Sequence, residues 1–337
     1  MPANRHRTFR HPLLGLVNAT ILSAASGWHT DVLERAFAAL GHTARTLPVE
    51  ALASRVGLAP RLSAAGEALD ADGAIVVRII PRGSLEQVVF RVDVLHRAEE
   101  LGLTVVNSPR ALERAVDKSW TSALLEAAGI PTPRTVVAER FDEAMAAFEL
   151  FGDCVIKPLF GSNGNGLVRV SDPDLAYRVF RALEFERAVF YVQEMLPHPG
   201  HDLRAFVVGE RVAAAMTRRS PDWRTNLARG ARAEPHEPTP EETRLALAAA
   251  RALGLDYAGV DLMPAADGRL YVIEANGSPG WEGSQATTKV DIAGAIAARV
   301  VEKRAGRALD ASPTPAGSWA GRGAAAPDGR REGAHVG

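Results

Sequence analysis

The sequence predicts an α/β protein divided into α+β lobes. Three observations indicate this fold class: short apolar strands alternate with amphipathic helices over residues 1–107, a glycine-rich loop lies between two strands in the middle of the chain, and two acidic strands follow a long hairpin. With 337 residues, 47% of them hydrophobic and 23% charged, the chain has the size and composition of a globular protein with two or three lobes.

The overall charge excludes several classes of function. A net charge of −1 argues against a protein held on nucleic acid or on a membrane surface by a broad basic field. A single cysteine, Cys154, excludes an internal disulfide framework and a thiolate zinc site, which fits a reducing compartment. Because no apolar run approaches the ~20 residues of a membrane span, we expect a cytoplasmic protein.

The first lobe, residues 1–107, alternates strands and helices. Strands are predicted at residues 13–17, 43–47, 74–78 and 104–106, and helices at residues 28–40 and 84–101. Arg5 to Arg10 before an apolar run also have the order of a signal peptide. Asn18 and Thr20 interrupt that run, so we interpret residues 13–17 as the first buried strand of a parallel sheet.

The second lobe, residues 108–196, begins at a helix cap. Ser108 and Pro109 are typical of a helix start, and Gly129 of the end of a following helix over residues 117–128. Strands are predicted at residues 135–137, 154–157, 167–170 and 189–192, with a helix opened by Asp172 and Pro173.

The third lobe, residues 197–305, begins with a hairpin of residues 203–208 and 212–217. An alanine-rich helix over residues 240–253, strands at 258–263 and 270–275, and a helix over 292–303 follow. Residues 306–337 are rich in Gly, Pro, Ala and Arg, so they lack the apolar surface to offset ordering entropy, and we expect a disordered tail.

A glycine-rich loop separates two strands of the second lobe. Its Gly161, Gly164 and Gly166 would let backbone N–H groups close on an anion, although a tight hairpin turn explains the same glycines. Lys157, among apolar neighbours just before the loop, favours a phosphate partner. Lys118, at a helix start, taken alone would more often be a solvated surface residue.

Acidic side chains mark two strands of the third lobe. Strand alternation places Glu274 and Asn276 on one face, and Asp261 lies on the neighbouring strand. Such an oxygen-rich set suits Mg²⁺ that bridges phosphates, while a structural ion pair with arginine is the alternative. Five arginines lie in the hairpin and the loop before these strands, where they either bind anions or form a solvated face: Arg204, Arg218, Arg219, Arg224 and Arg229.

Taken as an ordered set, these residues resemble the RimK-type glutamate ligases of the ATP-grasp superfamily, over about residues 107–303. The resemblance implies an ATP-grasp fold whose first lobe is the N-terminal pre-ATP-grasp lobe. Phosphate binding is implied for Lys118, Lys157, Gly161, Ser162, Gly164 and Gly166, adenine binding for Glu194 and Met195, and nucleotide contact for Asp202. Catalytic positions are implied for Arg204, Arg224 and Asn226, and Mg²⁺ (or Mn²⁺) binding for Asp261, Glu274 and Asn276.

The implied reaction converts a carboxylate into an acyl phosphate with ATP, and the amine of L-glutamate then attacks it. Residues 278–283 and 84–96 look most like the branch that glutamylates tetrahydromethanopterin, so a pterin acceptor is the first expectation. The C-terminus of a small-subunit ribosomal protein is the second. An ATP-dependent phosphotransferase and a non-catalytic nucleotide-binding module are the rival classes. The sequence leaves the oligomeric state open, including a homo-oligomer.

Overall fold

The computed structural model describes residues 15–69, 73–161 and 164–310, without the side chains of residues 308–310. Its sheets and helices form an α/β protein, which confirms the predicted fold class. Three larger sheets lie in the three predicted segments, and a small fourth sheet lies in the first.

The N-terminal lobe is built on a parallel sheet. Its order is β2-β1-β6-β7, with helices on its faces and a small antiparallel sheet β3-β4-β5 beside it. The elements are β1 Asn18–Ser23, α1 Trp28–Ala39, β2 Thr43–Pro48, β3 Leu52–Ser54, β4 Leu62–Ala64, β5 Glu67–Ala68, β6 Ala74–Val77, α2 Leu85–Glu100 and β7 Thr104–Val106. Ser84 and Gln87 form a reciprocal capping box at the start of α2.

The central lobe carries an antiparallel sheet of order β10-β9-β11-β8. Two helices cover it and form a separate core around Phe148, Phe180 and Phe190. The elements are α3 Pro109–Val116, α4 Lys118–Ala127, β8 Thr135–Ala138, α5 Phe141–Phe151, β9 Cys154–Lys157, β10 Val168–Val170, α6 Pro173–Phe185 and β11 Phe190–Glu194.

The C-terminal lobe contains a five-stranded antiparallel sheet of order β14-β13-β12-β15-β16. The elements are β12 His201–Val208, β13 Arg211–Arg219, β14 Arg232–Pro235, α7 Pro240–Leu253, β15 Tyr257–Pro264, β16 Leu270–Asn276, α8 Glu282–Ala286 and α9 Ile292–Asp310. Helix α7 packs on one face of this sheet through Leu245, Leu253 and their neighbours.

Helix α9 joins the first and last lobes. Its Ile292, Ile296 and Val300 share one core with Phe37 of α1 and Phe206 of β12. Arg299 and Lys303 of the same helix also bind the buried carboxylate of Asp256, at 3.0 and 2.6 Å. The N-terminal and C-terminal lobes are therefore held together by a continuous apolar core, and Lys303 adds a hydrogen bond to the Val105 carbonyl of the N-terminal lobe at 3.2 Å.

Two boundaries differ most from the sequence-based predictions. The predicted strand at residues 13–17 is wrong for its described part, residues 15–17, because the first strand is β1 at Asn18–Ser23. Asn18 and Thr20 lie within that strand, and the β-branched Thr20 is buried in it between β2 and β6. The last helix continues past Gly306 to Asp310. The rest of the predicted tail, residues 311–337, lies outside the described residues.

Candidate active site

A first cleft lies between the central sheet and the C-terminal sheet. Most of the residues implicated by sequence line it. These are Lys118, Lys157, Gly161, Gly164, Glu194, Met195, Asp202, Arg224, Asn226, Asp261 and Glu274. Ser162 lies outside the described residues. Gly166 is not among the lining residues, but its φ of +76° and the 2.8 Å between a Cβ there and Pro158 Cγ show why glycine is needed.

The two lysines approach the cleft from different elements. Lys157, at the end of β9, donates to Gln193 Oε1 at 2.6 Å. Lys118, at the start of α4, donates to the carbonyl of Gly161 at 2.8 Å and so holds the glycine loop. Burial lowers the pKa of Lys118, and it lowers the pKa of Lys157 to about 8 despite the opposing charge of Glu274. Two partly desolvated ammonium groups beside a glycine loop are suited to phosphate oxygens.

The glycine loop closes directly on the C-terminal lobe. A Cβ on Gly164, whose φ is +69°, would lie 2.4 Å from Asn226 Oδ1. Arg229 reaches the same loop and donates to Asn165 Oδ1 at 3.0 Å. The loop therefore bridges the first cleft, and glycine at position 164 is needed both for the backbone angle and for the close approach.

In the segment after β11, some backbone N–H groups already donate hydrogen bonds within the protein. Met195 N–H donates to the Asp153 carbonyl at 3.0 Å, and Glu194 binds Arg134 through its side chain. Within the described ranges, the N–H of Leu196 donates to no acceptor, and Leu196 lines the cleft. The Leu196 N–H is thus a free backbone donor beside Glu194 and Met195, whose adenine binding stays a prediction.

A buried ion network lies at the floor of the cleft. Arg218 donates to Asp202 Oδ1 at 2.7 Å and contacts Asp261 Oδ2 at 3.1 Å, and Arg204 Nε lies 2.6 Å from Asp261 Oδ1. Thr225 donates to Asp202 at 2.7 Å. Burial lowers the pKa of Arg218, but the facing carboxylates of Asp261 and Asp202 outweigh it and raise that pKa above its usual value. Arg218 is therefore a permanent cation that neutralises two buried acids.

The predicted metal ligands meet at adjacent strands. Asp261 pairs with Glu274 and Gly259 with Asn276 across β15 and β16, so the three side chains share one face. Neither Glu274 nor Asn276 makes a side-chain hydrogen bond or ion pair with another described residue, and both carry oxygen ligands. Magnesium commonly takes one or two carboxylates plus substrate phosphates, so Glu274 and Asn276 fit it directly, whereas Asp261 would have to share its carboxylate with Arg204 and Arg218. No cluster of three His, Cys, Asp or Glu side chains suited to a metal occurs in the described part of the chain.

A second cleft lies between the N-terminal and C-terminal lobes. Its N-terminal wall includes Trp28, His29 and Arg78, and its C-terminal wall includes Arg204, Asn276 and Pro279. Three residues line both clefts, namely Arg218, Asn226 and Glu274. A molecule in the second cleft would therefore reach the nucleotide side at the free carboxylate of Glu274.

Not every predicted arginine reaches a cleft. Arg219 points away from Arg218, is exposed and binds Glu234. Arg224 lines the first cleft but is paired with Asp222. Sequence reasoning missed Gln193 and His198 as lining residues. Gln193 donates to Thr135 and Tyr191, and its position two residues after Tyr191 on an apolar strand was the available signal.

Comparison with known proteins identifies the family. A model described as a RimK-like ATP-grasp domain matches residues 115–300. The chain belongs to this family. The RimK-like chain is 34% identical over 262 residues to the tetrahydromethanopterin:alpha-L-glutamate ligase of Methanosarcina acetivorans, covering 69% of this chain and 81% of that protein. It is also 38% identical over 232 residues to a probable alpha-L-glutamate ligase of Vibrio cholerae, covering 67% and 76%.

Solved structures confirm the ATP-grasp fold of the RimK-like chain. The ligase PsnB, complexed with a minimal precursor, superposes with a TM-score of 0.68 at 25% identity and covers 86% of this chain and 100% of that one. A PsnB complex with a phosphomimetic precursor variant, Mg and ADP has a TM-score of 0.66, also at 25% identity, over 86% and 99%. The resemblance seen in the sequence is thus confirmed.

None of the helices in the described ranges has the length and apolar character needed to cross a lipid bilayer. The cytoplasmic location and the oligomeric state stay predictions.

Proposed function

We propose that this chain joins L-glutamate to a carboxylate acceptor through an acyl phosphate, and that the acceptor is a tetrahydromethanopterin-type pterin. As a RimK-like ATP-grasp protein the chain is an ATP-dependent C–N ligase. The observation that carries the proposal is the meeting of the two clefts at Glu274, Asn226 and Arg218. A nucleotide in the first cleft and a carboxylate in the second would meet there.

The chain's own residues can position the reacting groups. Lys118 and Lys157 would hold the ATP phosphates beneath the glycine loop, and the N–H of Leu196 would bind the adenine edge. Asp261, Glu274 and Asn276 would hold Mg²⁺ (or Mn²⁺), which supplies positive charge to the transferring phosphoryl group. Arg224 and Asn226, beside the loop, would orient that group toward the acceptor.

Water must be kept from the acyl phosphate before glutamate attacks. The glycine loop already touches Asn226 and Arg229 of the C-terminal lobe, so it covers the first cleft next to the point where the two clefts meet. Exclusion of water there favours transfer to the amine over hydrolysis. Arg204, which lines the second cleft while its charge neutralises Asp261, would stabilise the negative charge that develops on the acceptor.

The names of the relatives support glutamate more firmly than the acceptor. Both the methanogen enzymes and the Vibrio cholerae protein are named alpha-L-glutamate ligases, whereas only the former name a pterin. Methanococcus maripaludis supplies a further such relative, 41% identical over 212 residues. A protein C-terminus is therefore the second candidate acceptor, as in the sequence-based expectation.

An assay of ADP release with product mass tests this proposal. Purified protein with ATP and Mg²⁺ should release ADP and add the mass of one glutamyl residue, glutamate less water, only when L-glutamate and tetrahydromethanopterin are both present. Hydroxylamine in place of glutamate should trap the acyl phosphate as a hydroxamate. Amide product without any trapped hydroxamate would refute the acyl phosphate, and preference for L-aspartate or L-lysine would refute the glutamate assignment. A peptide with a free C-terminus tests the second acceptor.

A further inference from the structure

We propose that Arg78 is a substrate-binding residue that holds a carboxylate group in the second cleft. The inference rests on the proposed function in that both substrates of such a ligase carry carboxylates. Arg78 directly follows β6, at the carboxyl edge of the parallel sheet, and lines the cleft opposite the C-terminal lobe. None of the motifs that indicated the nucleotide and metal sites includes it.

The Arg78 guanidinium is buried without an anion. The residue is 7% exposed, and its Nε and Nη1 atoms are buried with no hydrogen-bond acceptor among the described residues. Other buried arginines of this chain do have partners. Arg218 is held by two carboxylates, and Arg91 donates to the Pro81 carbonyl at 2.9 Å and lies 3.8 Å from Glu50. Burial of an unpaired cation lowers the stability of the folded protein. The presence of Arg78 in such a position at a cleft therefore indicates an anionic ligand.

The surroundings orient Arg78 without neutralising it. The guanidinium stacks over the Trp281 ring, with its carbon 4.5 Å from the ring centroid. His29 packs edge-on against the same ring, and its Nε2 accepts a hydrogen bond from the backbone N–H of Trp281 at 3.1 Å. Burial, with the charge of Arg78 as second cause, lowers the pKa of His29 to about 4, so this imidazole is neutral near pH 7. The stacked Trp281 ring stabilises the Arg78 cation, while the buried Nε and Nη1 donors of the guanidinium remain unused.

The position of Arg78 selects which carboxylate it would bind. It occupies the N-terminal wall of the second cleft, whereas Glu274 and Asn276 lie on the opposite lobe at the junction with the first cleft. A carboxylate on Arg78 is therefore the group that does not react: either a carboxylate of glutamate or a second carboxylate of the acceptor. Both sources share one chemistry, a carboxylate that accepts from a planar guanidinium.

Steady-state kinetics of Arg78→Met and Arg78→Lys separate the two sources. The matched control is Arg91→Met, an arginine of the same lobe that is similarly buried but has a carbonyl and a carboxylate partner and lies outside both clefts. We expect Arg78→Met to raise the KM of one carboxylate substrate by about tenfold or more while the KM of ATP stays within about twofold. Arg78→Lys should recover part of the loss because it keeps the charge but not the fork.

The KM that rises identifies the source, L-glutamate or the acceptor. A variant whose KM values for both carboxylate substrates equal those of the wild type, with only its melting temperature lowered as in Arg91→Met, would overturn the inference and assign Arg78 a structural role. A parallel rise in the KM of ATP would do the same, because the defect would then not be specific to a carboxylate.

A binding measurement keeps this inference separate from the ligase proposal. Trp28 and Trp281 beside Arg78 serve as fluorescence reporters for titration with L-glutamate, glutarate and tetrahydromethanopterin in the presence of Mg²⁺ and a non-hydrolysable ATP analogue. Binding by the wild type that is lost in Arg78→Met supports the assignment even if no amide is ever formed, which would sink the ligase proposal alone. Equal binding by both proteins, or no binding by the wild type, refutes the carboxylate site.

Discussion

At the scale of single residues, the active-site cations differ in how their charge is maintained. Arg218 is held charged by two facing carboxylates, whereas burial lowers the pKa of Lys157 to about 8, with the charge of Lys118 acting in the same direction and that of Glu274 opposing it. Lys157 is therefore a cation of the first cleft whose charge changes within an accessible pH range.

Nucleotide affinity should depend on this lysine. As pH rises through about 8, Lys157 loses its proton and the Kd of ATP should increase, approaching about tenfold per pH unit for one required proton. Bound phosphates favour the charged form, so calorimetry near pH 9 in buffers of different ionisation enthalpy should detect proton uptake on binding. Lys157→Arg, which stays charged, should remove the dependence. A flat affinity from pH 7 to 9 in the wild type would contradict this assignment.

The same pKa shift has the opposite consequence for folding. An unfolded lysine has its usual pKa near 10.5, so between pH 8 and 10.5 the unfolded state binds more protons than the folded state. The Lys157 contribution to stability therefore rises with pH over that window, although ATP binding weakens.

Glu274 and Asp261 should respond differently to loss of charge. Glu274 has no partner in the described ranges, so Glu274→Gln should reduce turnover by about a thousandfold or more, since an ion can contribute several kcal/mol to the transition state. Its melting temperature should stay near that of the wild type. Asp261→Asn leaves Arg204 and Arg218 undercompensated, so it should also cost roughly 3–5 kcal/mol of unfolding free energy.

Turnover as a function of Mg²⁺ and urea denaturation of both variants check this pair. Wild-type turnover of Glu274→Gln at limiting Mg²⁺ would rule out its role as a ligand. Unchanged stability of Asp261→Asn would show that the two arginines find other partners.

At the scale of elements, the glycine loop between strands β9 and β10 contacts the chain on both of its sides. Lys118 of α4 holds the loop at Gly161, and Asn226 and Arg229 of the C-terminal lobe meet it on the other side. Gly161, Gly164 and Asn165 of the loop therefore contact two other parts of the chain.

Gly164→Ala tests that arrangement. The new Cβ would collide with Asn226 Oδ1 and would occupy a left-handed backbone angle, so the loop must shift and the KM of ATP should rise about tenfold. Gly268→Ala is the matched control, since it has a φ of +82° but nothing within 4 Å of its Cβ, in the turn between β15 and β16. It should lose about 1 kcal/mol of stability without a change in KM. Equal kinetics of the two variants would show that the contact with Asn226 is unimportant.

At the scale of the whole molecule, one buried amide joins the N-terminal lobe to the ends of strands β15 and β16. Asn107 Nδ2 donates to the carbonyls of Tyr257 and Gly277 at 2.9 and 2.6 Å, and its Oδ1 accepts from the amides of Asp256 and Tyr257 at 2.7 and 3.2 Å. All four hydrogen bonds of the Asn107 side chain therefore join segments that are far apart in the sequence.

Replacing this amide should weaken the lobe junction. We expect Asn107→Ala to lower the free energy of unfolding by roughly 2–4 kcal/mol, because it leaves several buried backbone groups unpaired. The neighbouring Ser108→Ala removes only a helix cap and should cost about 1 kcal/mol. Urea denaturation with a constant m value measures both. A loss for Asn107→Ala no larger than for Ser108→Ala would show that water replaces the amide.

Two C-terminal truncations, one of which also removes the end of α9, should differ in stability. Removal of residues 311–337 should leave the melting temperature and turnover unchanged, because their composition offers little to pack. Removal of residues 307–337 also deletes Arg307, which donates to the Glu99 carbonyl at 2.6 Å, and should cost about 1 kcal/mol. If the shorter deletion lowers the melting temperature by several degrees, the tail docks on the folded protein.

The sequence by itself determined the features that depend on local chemistry. Strand alternation placed Glu274 and Asn276 on one face, Ser108 and Pro109 located a helix start, and the glycine spacing identified the loop. These follow from backbone geometry over a few residues, so they can be derived without knowing the partners. The small sheet β3-β4-β5 escaped prediction because its two- and three-residue strands carry too little periodicity.

Only the tertiary structure decided which charged groups are paired. Among five similar arginines in the sequence, Arg218 is buried, Arg219 faces outward and Arg229 binds the glycine loop. The environment of Arg78 is formed by Trp281 and His29, which are 252 residues apart in the sequence and in contact in the structure. Burial and charge pairing depend on such distant contacts, and no local pattern of residue types encodes them.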